Sequence, residues 1–196
     1  QFIKALLNHE EGLRIDNEHF AIISPDEGSM SRAIYLANVL GVDMGMYYKR
    51  LDYSRFINGR HPLAAYEFLG PDVKGKDMIL VDDMISSGDT ILQTASLLKE
   101  RGAGRIYICS TFGHFTDGLE KFDKAHAAGA FDKMLTTNLV YQTPELLAKP
   151  YYISCDMSKY IALIIDTLNH DLSVSYLLNP VDRIKKCVEK YMSQYK

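Results

Sequence analysis

Several things are scarce in this chain of 196 residues, and each scarcity narrows what it can be. No apolar run approaches the roughly 18 residues that span a bilayer, so no membrane partner is expected. No stripe of lysine and arginine interleaved with aromatics is present, and 22 basic residues stand against 25 acidic ones for a net charge of -3. A nucleic-acid partner, which needs a basic face to meet phosphates, is therefore not expected. Cysteine is sparse and odd in number: Cys109, Cys155 and Cys187 lie far apart in apolar or helical patterns. A disulfide framework is not expected, and a reducing, cytoplasmic setting is. No signal-peptide pattern precedes the first helix-like segment, and neither repeats nor low-complexity tracts break the chain. A starter methionine is missing as well. The chain opens with Gln1 inside "QFIKALLNHEEGLRI", an amphipathic pattern in mid-stride, which suggests that a longer native chain was cut or processed.

What is present is an alternation of two patterns. Short β-rich runs occur at residues 20–26, 45–50, 78–83, 105–112, 133–139 and 151–157. They are apolar without a period of two, as strands covered on both faces are, which points to a parallel sheet. Between them, helical patterns at 29–40, 90–101, 117–128 and 158–169 have apolar residues three and four apart, with Gly41 and Gly102 at the expected C-caps. A last pattern over 180–195, with Pro180 in its first turn, predicts a terminal helix. The layout is that of an α/β domain with right-handed crossovers, long enough to bury a sheet between two helical layers. One long irregular stretch, residues 51–76, carries Arg55, Arg60, two prolines and three glycines, and reads as a functional lid or a disordered segment.

The most informative segment is "MILVDDMISSGDT", residues 78–90. In a parallel sheet ligands bind outside the carboxyl ends of the strands, which puts Asp82 and Asp83 on the rim of a site. Adjacent strand residues point to opposite faces, so one acid is expected to face the ligand and the other to order the loop. Ser86, Ser87, Gly88, Asp89 and Thr90 then form a small polar turn ahead of a helix, where backbone amides and hydroxyls can hold an anion. The set describes carboxylates for a sugar diol or a hydrated metal beside a cradle for a phosphate. Taken singly, each residue reads equally well as an N-cap or as an acid satisfying loop amides. The order of the whole set is what carries the chemistry. No Gly-Lys-Ser/Thr follows, so this is not a Walker loop.

"VDDMISSGDT" resembles the ribose-phosphate-binding motif of the type I phosphoribosyltransferases and of their relatives, the ribose-phosphate pyrophosphokinases. Other segments are similar to the pyrophosphokinases in particular: "ISPDEGSMSRAIYLANVLG" from residue 23, "YYKR" from residue 47, "TTNL" around Asn138 and "LSVSYLL" from residue 172. The similarity runs from about residue 20 to about residue 180 and matches the C-terminal half of that family. It implies an α/β fold, a parallel-sheet three-layer sandwich of the type I phosphoribosyltransferase kind, over residues 20–180. Residues 1–19 would then be a linker or helix from a missing N-terminal domain, and 181–196 a C-terminal helix.

The same resemblance implies transfer of diphosphate from ATP to ribose 5-phosphate. Residue by residue, it assigns the ribose diol to Asp82, with Asp83 beside it, and the 5-phosphate to Ser86, Ser87, Gly88, Asp89 and Thr90. Asp26 would help bind Mg²⁺ with a histidine from outside this chain, and Lys49 would stabilise charge on the transferring group. Three positions depart from the family pattern. Ser86 stands where an aspartate is usual, Asp89 where a small neutral residue is usual, and Leu51 where a second loop cation, an arginine, is usual. Asp89 would repel a phosphate unless it turns outward and caps the helix through its side chain, which is the role favoured for it here. Arg50, Arg55 or Arg60 could take the place of the missing arginine. The resemblance further implies a homo-oligomer, a dimer or hexamer, with effector sites near Ser173, Val174 and Ser175. Two rival readings stand beside it: a base phosphoribosyltransferase with residues 51–68 as its hood, and a non-catalytic regulator that keeps the synthetase fold.

Overall fold

The computed structural model describes residues 1–51, 54, 56 and 63–194, and the side chains at 49–51 and 63–65 lie outside that description. In chain order the elements are α1 (Phe2–His9), β1 (Phe20–Ser24), α2 (Met30–Leu40), β2 (Asp43–Leu51), β3 (Leu63–Leu69), β4 (Asp77–Ile85) and α3 (Asp89–Glu100). They continue with β5 (Ile106–Gly113), α4 (Glu120–Ala127), β6 (Lys133–Thr137), α5 (Pro144–Leu147), β7 (Tyr152–Cys155), α6 (Ser158–Asn169), α7 (Ser175–Leu178) and α8 (Val181–Met192). The strands form one seven-stranded sheet in the order β3-β2-β1-β4-β5-β6-β7. All neighbours are parallel except β3, which runs antiparallel along β2 at the edge.

The absence of a two-residue period in the strands has the physical cause expected of it, burial on both faces. Every residue of β1 is buried. Ala21 and Ile23 join Met78, Leu80, Ile106 and Ile108 in a core closed by Ile91, Ala95 and Leu98 of α3 and Phe122 of α4. Phe20 and Ile22, one step out of phase, join Ile79, Val81, Tyr107 and Cys109 in a second core beneath α1, α2 and α8. Two helical layers therefore sandwich the sheet.

The strand order has one reversal that matters. From β1 the chain builds outward through β2 to β3, then returns to lay β4 on the other side of β1. The helix after β1, α2, covers one face, and the helix after β4, α3, covers the opposite face. The two connecting loops diverge at that point and leave a crevice between them.

The structure departs from the pattern reading in four places. The stretch at 51–76 is not irregular throughout, because Leu63–Leu69 is strand β3. Its signal is a short alternation in which Tyr66 and Phe68 pack on the core while Glu67 and Leu69 are exposed, as suits an edge strand with one wet face. Strand β4 does not stop at the paired acids but continues to Ile85, because its pairing with β5 runs on to Ile85↔Gly113. Helix α4 begins at Glu120 rather than at 117. The short helices α5 and α7 span only four residues each, too few to show a period. Gly41, by contrast, closes α2 in the left-handed conformation at φ 70° as its position implied.

The final helix is tied to the opening segment. The Tyr191 hydroxyl donates to Glu10 O at 2.8 Å and accepts from the Leu13 amide at 3.0 Å. Leu13 is buried, so losing that hydroxyl strands its N–H without a replacement. Tyr191→Phe is expected to lower stability by about 1–3 kcal/mol in chemical denaturation, with an unchanged far-ultraviolet circular dichroism spectrum.

Candidate active site

The crevice at the β1/β4 reversal is a cleft of about 240 Å³ lined by Asp26 and by residues 82–91. Its floor is set by two parallel strands in register, with Ile22 opposite Ile79 and Ile23 opposite Leu80. Asp82 has the strand parity of Met78 and Leu80 and belongs to the α3 side, whereas Asp83 has the parity of Ile79 and Val81 and belongs to the α2 side. The two acids accordingly do different work. Asp82 reaches across the crevice, where its Oδ1 accepts the Ser29 hydroxyl at 2.6 Å and the Asp83 amide at 2.8 Å. Asp83 accepts from the Met84 amide at 2.9 Å and faces the Arg32 guanidinium at 3.4 Å.

Asp26 organises the turn after β1. Its Oδ1 accepts from the amides of Gly28, at 3.0 Å, and Ser29, at 3.3 Å, while its carbonyl accepts the Ser24 hydroxyl. The turn is held from above by β3. The Tyr66 hydroxyl lies 2.5 Å from Pro25 O and 2.8 Å from Thr94 Oγ1, and Thr94 in turn donates to Thr90 O. Burial, opposed by the Thr94 hydroxyl and helped by the nearby Asp26 charge, pushes the Tyr66 phenol up to about 12, so it stays protonated and able to donate. One side chain thus connects the Asp26 turn, the edge hairpin and the first turn of α3.

The loop after β4 is shaped by Gly88. At φ 86° it adopts the left-handed conformation that glycine tolerates, and it sits directly on the buried Phe122 ring. A Cβ there would lie 2.2 Å from Phe122 Cζ. Gly88 is the N-cap of α3, and the first in-helix bond runs from the Leu92 amide to Gly88 O. The amides ahead of Leu92 belong to the helix end where donors and the dipole favour an anion. The loop is also braced from the side, because Ile85 O accepts the His114 amide and Ser86 O accepts the Thr116 amide.

Asp89 is the first residue of α3 and its carboxylate does turn outward, but it caps no helix amide. It is held instead by Lys121 Nζ at 2.7 Å and by the Ser87 hydroxyl at 2.8 Å. The expected capping role is therefore replaced by an ion pair, because an ammonium from α4 stands within reach. Lys121, then Ser87, hold the Asp89 carboxyl below its ordinary range. Asp82 shifts the other way. Burial raises its carboxyl above the ordinary 3.8, helped by the nearby Asp26 charge and opposed by the Ser29 hydroxyl and the Asp83 amide.

The structure thus brings Asp26, Asp82, Asp83, Ser86, Ser87, Gly88, Asp89 and Thr90 to one cleft. Lys49 lies on β2 beyond Met46, the partner of Ser24 at the end of β1, and so on a strand that runs past the cleft. Its side chain, those of Arg50 and Leu51, and Arg55 and Arg60 altogether lie outside the described residues. His114 lines a different hollow of about 160 Å³ with Tyr141, Thr143 and Glu145, sharing no wall with the cleft. Ser29, Arg32, Tyr66 and Lys121 are the participants that pattern reading misses. Nothing local marks them, since each acts on a residue from 28 to 53 positions away.

With this geometry in hand, comparison with known proteins is decisive. The signature of the phosphoribosyl synthetase-associated domain matches residues 60–179. The chain belongs to this family. Among curated relatives, a ribose-phosphate pyrophosphokinase of Pasteurella multocida is 31% identical over 175 residues, covering 89% of this chain and 52% of the relative. Ribose-phosphate pyrophosphokinase 5 of Schizosaccharomyces pombe is 35% identical over 144 residues, covering 72% of this chain and 39% of the relative. A crystal structure of a phosphoribosylpyrophosphate synthetase from Mycobacterium smegmatis superposes with a TM-score of 0.64 at 25% identity, covering 78% of this chain and 45% of that one. The chain spans about half the length, or less, of the curated relatives it matches. The family's α/β sandwich of the type I phosphoribosyltransferase kind is the fold described above.

Two outcomes follow from the site's construction. A carboxyl with a raised folded pKa binds its proton more tightly folded than unfolded, so its contribution favours the fold at low pH and is lost as pH rises from 3.8 through the raised value. Asp82→Asn keeps an acceptor for Ser29 and the Asp83 amide but removes the charge. It is expected to be more stable than the parent at neutral pH, with the gap closing as urea midpoints are taken down toward 3.8. Gly88→Ala forces a left-handed alanine into Phe122 and is expected to lose about 2–4 kcal/mol in thermal unfolding.

Proposed function

We propose that this chain is the C-terminal half of a ribose-phosphate pyrophosphokinase and supplies its ribose 5-phosphate site. The intact protein would move the β,γ-diphosphoryl group of Mg-ATP to the anomeric hydroxyl, giving phosphoribosyl pyrophosphate and AMP. One observation carries the reading: a single cleft at a strand-order reversal combines the first turn of α3 with a half-buried carboxylate, Asp82. An anion-favouring helix end suits a sugar phosphate, and a carboxylate suits the hydroxyls of its ring. Relatives named as ribose-phosphate pyrophosphokinases support it.

On this reading the amides of residues 86–90 and the hydroxyls of Ser86 and Thr90 donate to the 5-phosphate, the Ser87 hydroxyl being given to Asp89, while Asp82 accepts from the ribose diol. Fixing the sugar at both ends orients its anomeric oxygen, and orientation is the larger part of what an enzyme offers a phosphoryl-type transfer. That oxygen forms a bond to the β-phosphorus, the bond from the β-phosphorus to the α,β-bridging oxygen breaks, and the hydroxyl proton is released. Lys49, from the hairpin that runs past the cleft, would offset charge on the moving group. Ser29 holds Asp82 in place through its hydroxyl.

The donor set fits Mg²⁺. Asp26 and Asp82 are hard oxygen donors lining one cleft, and Asp82 carries a desolvated negative charge that a cation would relieve. Among the described residues no three His, Cys, Asp or Glu side chains gather as a cage, so the ion would take further ligands from substrate phosphates. When bound it would neutralise triphosphate charge. A cytoplasmic homo-oligomer, dimer or hexamer, completes the proposal, as does a division into residues 20–180 as the sugar-phosphate domain with 1–19 leading in and 181–196 as a terminal helix. Exposed Ile165 and Leu168 on α6, with Leu172, Tyr176 and Leu178 after them, support assembly with a second copy.

Asp89 favours one competitor, a non-catalytic regulator, because a carboxylate in the cradle is unusual for a phosphate site. Calorimetric titration with ribose 5-phosphate is expected to give one site per chain that Asp82→Ala abolishes. The full-length protein with ATP, Mg²⁺ and ribose 5-phosphate is expected to release AMP in step with phosphoribosyl pyrophosphate, and the isolated chain to turn over poorly. Binding without any product from the full-length protein would establish the regulator instead.

A further inference from the structure

The phosphate cradle contains an apparent contradiction, a fixed negative charge on the helix end that would receive a phosphate. Asp89 is the first residue of α3. A carboxylate there can compete for the first-turn amides, and it repels an incoming anion at short range. Neither happens in this fold, because both carboxylate oxygens are engaged at the rim. Oδ1 lies 2.7 Å from Lys121 Nζ, and Oδ2 accepts the Ser87 hydroxyl at 2.8 Å. Asp117 shares the same ammonium at 3.1 Å.

The lysine is placed by the fold rather than by chance encounter of two surface side chains. It is the second residue of α4, whose lead-in strap is bonded to the cradle's own backbone through the Thr116 amide on Ser86 O. Its chain neighbour Phe122 is fully buried and fills the space directly beneath Gly88. Where the cradle sits, Lys121 must sit beside it. Lys124, three residues on, is committed to Glu120, and Arg32 on the other wall of the cleft faces Asp83. Among the described residues, the cation on the Asp89 carboxylate is therefore Lys121.

We infer that Lys121 is a positioning residue of the phosphate site: it draws the Asp89 carboxylate to the rim and offsets part of its charge while also pairing with Asp117, leaving the α3 amides to a sugar phosphate. The inference rests on the reading that residues 86–90 receive the 5-phosphate. It also explains how this chain keeps a phosphate site while carrying an acid in the cradle. As an exposed ion pair it adds little to stability. Its consequence falls on anion affinity.

The test is a double-mutant cycle on ribose 5-phosphate affinity, with inorganic phosphate as a second probe. Lys121→Met is expected to weaken ribose 5-phosphate about three- to tenfold at low ionic strength, with the deficit shrinking at about 0.5 M salt. In an Asp89→Asn background the same lysine change is expected to have little effect, and Lys121→Arg is expected to restore parental affinity. Thermal midpoints of all variants should stay close to the parent, as expected of an exposed ion pair, so that a change in affinity is read apart from folding. Unchanged affinity in Lys121→Met would overturn the inference while leaving the phosphate reading intact. So would an equal loss with and without Asp89, since the lysine would then act on the phosphate directly. If the parent chain binds neither probe, the phosphate reading falls and the inference falls with it.

Discussion

The hydrogen bond from the Ser29 hydroxyl to Asp82 spans a crevice that exists only because the strand order reverses between β1 and β4. Both strands are buried and paired in parallel, so their ends are fixed to within the tolerance of a packed sheet. Their loops are then obliged to diverge, one toward α2 and one toward α3. Among the described residues, Asp26 and residues 82–91 line the gap this creates. The Asp26 turn forms one wall, the Gly88 loop the other, and Ser29 and Tyr66 brace the two against each other. A site built in this way is held by secondary structure on both sides rather than by its own loops, which is what orientation of a small substrate demands.

The electrostatics of the gap run against the stability of the protein. Asp26, Asp82 and Asp83 place carboxylates on one cleft, and Asp82 carries the strain of it as a raised pKa caused mainly by burial. Such a group is tolerated where binding uses it, and a protein that needed only to fold would have an asparagine there. Asp89 is the opposite case. It is exposed, its carboxyl is held low by Lys121, and its charge is paired at the rim rather than buried in the cleft. Two aspartates seven positions apart thus have opposite shifts for opposite reasons, one half-buried in the cleft and one exposed at its rim.

The sheet was legible in advance because burial on both faces leaves an unmistakable apolar run, and β1, β4 and β5 all carry one. The paired acids and the small polar turn were legible because strand, turn and helix start follow one another within thirteen residues of "MILVDDMISSGDT". Strand β3 was hidden, since an edge strand of seven residues with a single core-facing side has only Tyr66 and Phe68 to announce it. The extension of β4 past Asp83 was hidden too, because pairing with β5 decides it and pairing is not a local property. Lys121 was beyond reach for the same reason. It lies 32 positions from Asp89, and only the packing of Phe122 under Gly88 brings the two together. The outward turn of Asp89 followed from charge repulsion alone, whereas its partner required the fold.

The central claim is that the first turn of α3 and Asp82 together hold a pentose phosphate. A crystal of this chain soaked with ribose 5-phosphate tests it most directly. The account predicts the phosphate on the amides of residues 86–90 and the hydroxyls of Ser86 and Thr90, with ring hydroxyls on Asp82, and Asp89 still paired to Lys121 and Ser87. A sugar phosphate bound elsewhere, or with its ring hydroxyls away from Asp82, would contradict it.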